Sequence, residues 1–187
     1  MEINVVDIGD SGLGRIVLNL KTLNQDVIEM QAGPDGVSRM VTRVIQKAGS
    51  AGSIDILRIY AHGNSGVINV AGGQVDESDT LSAISVTNLD KIEGTLRLLK
   101  PYFKRGARVE LLGCDVALDY TKKISKNSAG EKLLTKLAKI WSVNVMASGN
   151  PKELPLGAIK FVGLVVIATP DGGLACTAPP EISKLTH

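Results

Sequence analysis

The chain has 187 residues, 44% of them hydrophobic and 21% charged, with a net charge of +2. Those values suit one globular domain whose core is aliphatic, since only two Phe, three Tyr and one Trp are present. They exclude a strongly basic nucleic-acid surface, an aromatic base-stacking platform and a polybasic membrane anchor. Met1-Glu2-Ile3-Asn4 lacks the basic and apolar regions of a signal peptide, and the apolar run from Phe161 to Ala168 is too short to cross a bilayer. The expectation is one domain over residues 1–187, cytoplasmic, with signal-independent export left open. Cys114 and Cys176 stand too far apart for a disulfide scaffold or zinc motif, and with no acidic cluster neither metal nor cofactor is expected.

Ile3 to Ile8 is a β-branched run closed by Gly9-Asp10-Ser11-Gly12, which predicts a strand and a turn. Ile16 to Leu20 and Val27 to Met30 read as weaker strands. From Pro34 the period changes: Val37, Met40, Val41, Val44, Ile45 and Ala48 share one face, opposite Arg39, Arg43 and Lys47. This is an amphipathic helix stopped by Gly49. Ile54 to Ala61 is a strand ending abruptly at His62-Gly63-Asn64-Ser65-Gly66, followed by a short return strand, Val67 to Ala71, and a polar loop from Gly72 to about Ser85. Leu89, Ile92, Leu96 and Leu99 mark a second helix, with Thr87 or Asn88 as its cap.

Ala107 to Leu112 is the next strand, ending at Gly113-Cys114-Asp115. Asp119 to Asn127, with Lys122, Lys123 and Lys126, reads as a solvated loop. Ser128-Ala129-Gly130-Glu131 is a capping box that opens a third helix through Trp141. Val143 to Ala147 is a short strand ending at Ser148, and Ala158 to Ala168 is a final buried strand of a hairpin turning at Pro170-Asp171-Gly172-Gly173. The tail, about 179–187, is expected to be loose. Strands alternating with helices imply a mainly parallel α/β sheet covered on both faces.

In such sheets ligands sit beyond the carboxyl ends of the strands, and three ends here carry reactive side chains: His62, Cys114 and Ser148. A thiolate is a strong nucleophile if a base takes its proton, and an imidazole can do that and later protonate a leaving amine. Glycine beside each group, Gly63 and Gly113, lets a substrate backbone approach and leaves N–H groups for an oxyanion hole. The only other histidine is His187, so His62 is the credible base. The bland readings are a packed core cysteine and an ordinary turn. Cys176, with no glycine or histidine beside it, reads as structural filler. Ser148 is either a turn residue or a substrate-binding one. Asp115 either binds local N–H groups or contacts a basic substrate side chain. Gly9 to Gly14 has a glycine-rich spacing after a strand, but Arg15 to Leu20 reads as a strand and disfavours a nucleotide site.

The strand from Ile54 to Ala61 with His62-Gly63-Asn64-Ser65-Gly66, and the strand Val109 to Leu112 with Gly113-Cys114-Asp115-Val116-Ala117, resemble the caspase/gingipain/clostripain superfamily of cysteine peptidases. The likeness is closest to the bacterial caspase-like domain found at the N-terminus of large surface or repeat proteins. It spans Ile54 to Gly149, and it departs from the caspase pattern in lacking Gln-Ala-Cys-x-Gly and in the acidic Asp115. The resemblance implies a caspase-like three-layer α/β sandwich with about six strands. It further implies Cys114 as nucleophile, His62 as general acid/base, and the N–H groups of Gly63 and Cys114 as oxyanion donors. A protein or peptide substrate follows, cleaved through a thioester acyl-enzyme, with self-processing at the lysine-bearing loop. The alternative is a non-catalytic caspase-like interaction module.

Overall fold

A computed structural model describes residues 1–9, 13–33, 35–72, 81–118, 128–153 and 159–177. In chain order the elements are β1 (Glu2–Asp7), α1 (Gly14–Thr22), β2 (Val27–Met30), α2 (Gly36–Ala48), β3 (Ile54–Tyr60), β4 (Gly63–Asn64), β5 (Val67–Asn69), β6 (Ala83–Ser85), α3 (Leu89–Arg97), β7 (Phe103–Leu112), α4 (Ala129–Trp141), β8 (Asn144–Glu153), β9 (Ile159–Ala168) and β10 (Leu174–Thr177). A short 3₁₀ turn, Lys100–Tyr102, leads into β7. The α/β class and mainly parallel sheet expected from the sequence are present. The loop Asp119 to Asn127 and the tail 179–187 fall outside the described residues.

The main sheet has the order β10-β9-β8-β7-β3-β1-β2. From β2 to β8 every pairing is parallel, while β9 and β10 run antiparallel. It therefore holds seven strands rather than about six, and it is mixed. The turn around Asp171-Gly172 folds Leu174–Thr177 back onto β9 and supplies the added edge strand. The chain winds from β1 outward to β2, then returns across β1 to β3, β7 and β8. Right-handed crossovers travelling in opposite directions put their helices on opposite faces. Accordingly α1 packs with Val6, Tyr60, Leu112, Met146 and Val165 on one face. On the other, α2, α3 and α4 cover Ile3, Val5, Leu57, Ile59, Val109, Leu111 and Val145.

Residues 16–20 are helical, not extended. Ile16, Val17 and Leu20 are buried against the sheet, and that burial outweighs the β-branched preference of Ile and Val. Ala83–Ser85, expected within a polar loop, forms β6 and pairs with β5. The helix α3 has no side-chain cap: Asn88 instead accepts from Ser85 N at 3.0 Å and donates to the Ala83 carbonyl at 2.8 Å. The capping serine is present at the third helix, where Ser128 Oγ accepts from Glu131 N at 3.1 Å. Trp141, fully buried, donates to the Leu96 carbonyl at 2.9 Å and so ties α4 to α3.

Toward the amino ends of the strands, beyond α1, the α1 face carries charge. Arg58 binds Glu110 at 2.8 Å and Glu2 at 2.6 Å, and Arg108 binds the other oxygen of Glu110 at 2.7 Å. Coulombic attraction to these carboxylates keeps the Arg58 guanidinium firmly protonated although burial opposes the charge.

Candidate functional site

His62 and Cys114 leave the sheet side by side. β3 and β7 pair in parallel through Ile59–Leu111 and Tyr60–Leu112. Continuing that register by two residues brings His62 level with Cys114. The backbones stay in contact there: a Cβ on Gly63 would lie 2.6 Å from the Cys114 carbonyl oxygen and 2.5 Å from Val116 Cγ2. Only glycine permits that approach. The paired strands end at Tyr60 and Leu112, about 4.8 Å apart, and the close approach of Gly63 to the Cys114 carbonyl keeps the two segments adjacent two residues further on.

Each side of the pair is braced. After His62 the chain folds into the β4–β5 hairpin, and Asn69 N donates to the His62 carbonyl at 2.8 Å. That bond makes Gly63–Ile68 a non-hydrogen-bonded pair, which turns the Gly63 N–H away from β5. After Cys114 the chain makes a tight turn in which Leu118 N donates to the Asp115 carbonyl at 2.9 Å, with Asp115 at φ +57°. A left-handed φ is tolerated by Asp better than by most non-glycine residues. Val116 and Ala117 are buried beneath the turn and fix it to the core.

Cys114 is exposed and His62 half-buried. Partial desolvation pushes the Cys114 thiol above its ordinary value, and the Asp115 carboxylate adds to the shift. The thiol is therefore protonated at neutral pH and needs a base during any attack.

Ser148 lies on β8 opposite Val165, just before a register shift at Asn150. It is fully buried, and its Oγ has no hydrogen-bond partner. It is thus a strand residue and not an exposed turn. The β7–β8 register sets it level with Leu112, one pleat below Cys114. Cys176, expected as packed filler, is exposed on the edge strand β10, whose side chains all face solvent.

Sequence reasoning passed over two polar residues. Asp7, buried at the end of β1, accepts from Gly9 N at 3.0 Å and Gly72 N at 3.3 Å, and so ties the end of β1 to the segment that follows β5. A carboxylate on Gly9 N stands against phosphate binding at that turn, although the helix such a site needs is present. Residues 10–12 of that glycine-rich stretch lie outside the described residues. Ser65 was read only as part of a turn, yet its hydroxyl binds the Leu118 carbonyl at 2.6 Å. The signal for Asp7 was an acidic residue closing an apolar strand just before glycine; for Ser65 there was none. Among the described residues no group of three or more His, Cys, Asp or Glu could hold a metal ion, and no helix is long and apolar enough to cross a membrane.

Residues 5–152 match the sequence model of a family described as a domain of unknown function, DUF4347. No curated protein matches the chain.

Proposed function

The chain belongs to the DUF4347 family, and from that premise we propose that its carboxyl-edge site is a Cys/His peptidase centre on a caspase-like fold. The supporting observation is the shared register of β3 and β7, which carries His62 and Cys114 past the sheet as adjacent residues. In this reading His62 takes the Cys114 proton as sulfur attacks the carbonyl carbon of a peptide substrate. The oxyanion forms near the N–H groups of Gly63 and Cys114. His62 then gives its proton to the leaving amine, a thioester remains on Cys114, and water activated by His62 hydrolyses it. A thiol that stays protonated at neutral pH makes His62 essential rather than auxiliary. Asp115 is the proposed substrate-side residue; Ser148, fully buried on β8, does not reach a substrate, which corrects the binding role expected for it. Lys122, Lys123 and Lys126 mark where self-processing would cut. The site of action proposed is the cytoplasm, with no nucleic-acid or membrane partner and no cofactor.

One observation favours a second reading, a non-catalytic interaction module: the environment of Cys114 disfavours its thiolate. Alkylation by iodoacetamide with peptide mapping separates the two. In a peptidase, Cys114 reacts faster than Cys176 near neutral pH, His62→Ala removes the advantage, and Cys114→Ala abolishes peptide hydrolysis while Cys176→Ala leaves it intact. If Cys114 reacts no faster than the exposed Cys176 and no peptide is cleaved, the module reading stands.

A further inference from the structure

We propose that Ser65 is a positioning residue that holds the Cys114 turn in place against the hairpin carrying His62, an inference that rests on the peptidase reading. Ser65 sits at the tip of the β4–β5 hairpin and is 2% exposed. Its hydroxyl donates to the Leu118 carbonyl at 2.6 Å, and the next residue, Gly66, donates its N–H to the Val116 carbonyl at 3.2 Å. Both acceptors belong to the turn that begins at Cys114. The tip thus grips the turn at two carbonyls, while at its base Gly63 touches the Cys114 carbonyl.

The grip is confined on its far side. Gly66 has φ +68°, and a Cβ there would stand 2.7 Å from the Ala129 backbone at the start of α4. A Cβ on Gly130 would meet the Val116 carbonyl oxygen at 2.5 Å. The turn is therefore enclosed between the hairpin and the first turn of α4, and the Ser65 hydroxyl reaches it as a buried side-chain donor. Without that donor the Leu118 carbonyl loses its partner and the tip keeps only the Gly66 backbone bond to the Val116 carbonyl. Sulfur and imidazole would still be near each other, but their relative position would spread over several arrangements.

The test measures the pH profile of iodoacetamide alkylation at Cys114 and at Cys176, in the full chain, for wild type, His62→Ala, Ser65→Ala and Ser65→Thr. The expected result is a roughly tenfold loss of the His62-dependent rate at Cys114 in Ser65→Ala, the scale of stranding a buried acceptor. The Cys176 rate stays unchanged, and Ser65→Thr, which keeps the hydroxyl, restores the profile. Should Ser65→Ala fail to fold, Ser65→Cys, a weak donor of similar shape, replaces it with the same expected loss. The proposal is overturned if the hydroxyl-free variant keeps the wild-type profile, if Cys176 changes as much as Cys114, or if folded Ser65→Thr fails to restore the rate. A wild-type profile indifferent to His62→Ala overturns the peptidase reading itself, in an arm that does not involve Ser65, and the positioning role with it.

Discussion

The acidic neighbour of Cys114 acts on the thiol in a direction that can be measured. Asp115 raises the Cys114 pKa, so it lowers the thiolate fraction at neutral pH. Asn tolerates the left-handed φ that Asp115 adopts, so Asp115→Asn removes the charge and keeps the backbone. Alkylation of Cys114 at pH 7 should then accelerate, because the remaining upward shift comes from desolvation alone. An unchanged or slower rate in a mass-spectrometric time course would count against this electrostatic account. Ser148 offers a second residue-scale case. A buried hydroxyl without a partner has given up its hydration for nothing, so Ser148→Ala should leave the melting temperature unchanged or raise it by about 2–4 °C. A clear drop in a thermal melt would mean that the hydroxyl has a structural partner. The acidic neighbour of Cys114 was legible in the sequence, whereas the enclosure of Ser148 was not, because it depends on what the fold packs around β8.

At the scale of elements, two glycines make opposite predictions. A Cβ at Gly63 would collide with the Cys114 carbonyl and Val116, whereas one at Gly94, exposed in α3, meets nothing within 4 Å. Gly63→Ala should cost about 1–3 kcal/mol, since backbone must move, and Gly94→Ala should add about 1 kcal/mol from helix propensity. Urea denaturation of both variants checks the pair. The strand β3 and the Ala107–Leu112 part of β7 could be read from the sequence because each is rich in aliphatic residues and is cut off by glycine and a reactive side chain; Phe103–Gly106 of β7, largely polar and exposed, could not. The helix α1 could not. Arg15-Ile16-Val17-Leu18 has β-favouring side chains, and only the sheet row of Val6, Tyr60 and Leu112 decides that Ile16, Val17 and Leu20 should face one way. β6 escaped because a three-residue strand carries too little pattern, and its pairing with β5 is a tertiary choice.

Across the whole molecule, the one tryptophan serves as a reporter. Trp141 lies in the core shared by α2, α3 and α4. If residues 1–177 fold as one cooperative unit, Trp141 fluorescence and far-ultraviolet circular dichroism should report the same urea midpoint. Separate midpoints would divide the chain into two units. The mainly parallel class was legible from alternating strands and helices, but the division of helices between faces was not. It follows from the reversal of winding at β1, which no local pattern encodes.

That His62 and Cys114 each follow the end of one of two paired strands has a thermal consequence. A gap spanned by loops widens by degrees as a molecule warms, because each loop loosens independently. A gap set by the repeat of a hydrogen-bonded ladder resembles a lattice constant: it barely expands until the ladder itself gives way. Any chemistry performed by this pair should therefore follow a single activation enthalpy on approach to the melting temperature and then vanish with the sheet, in one step.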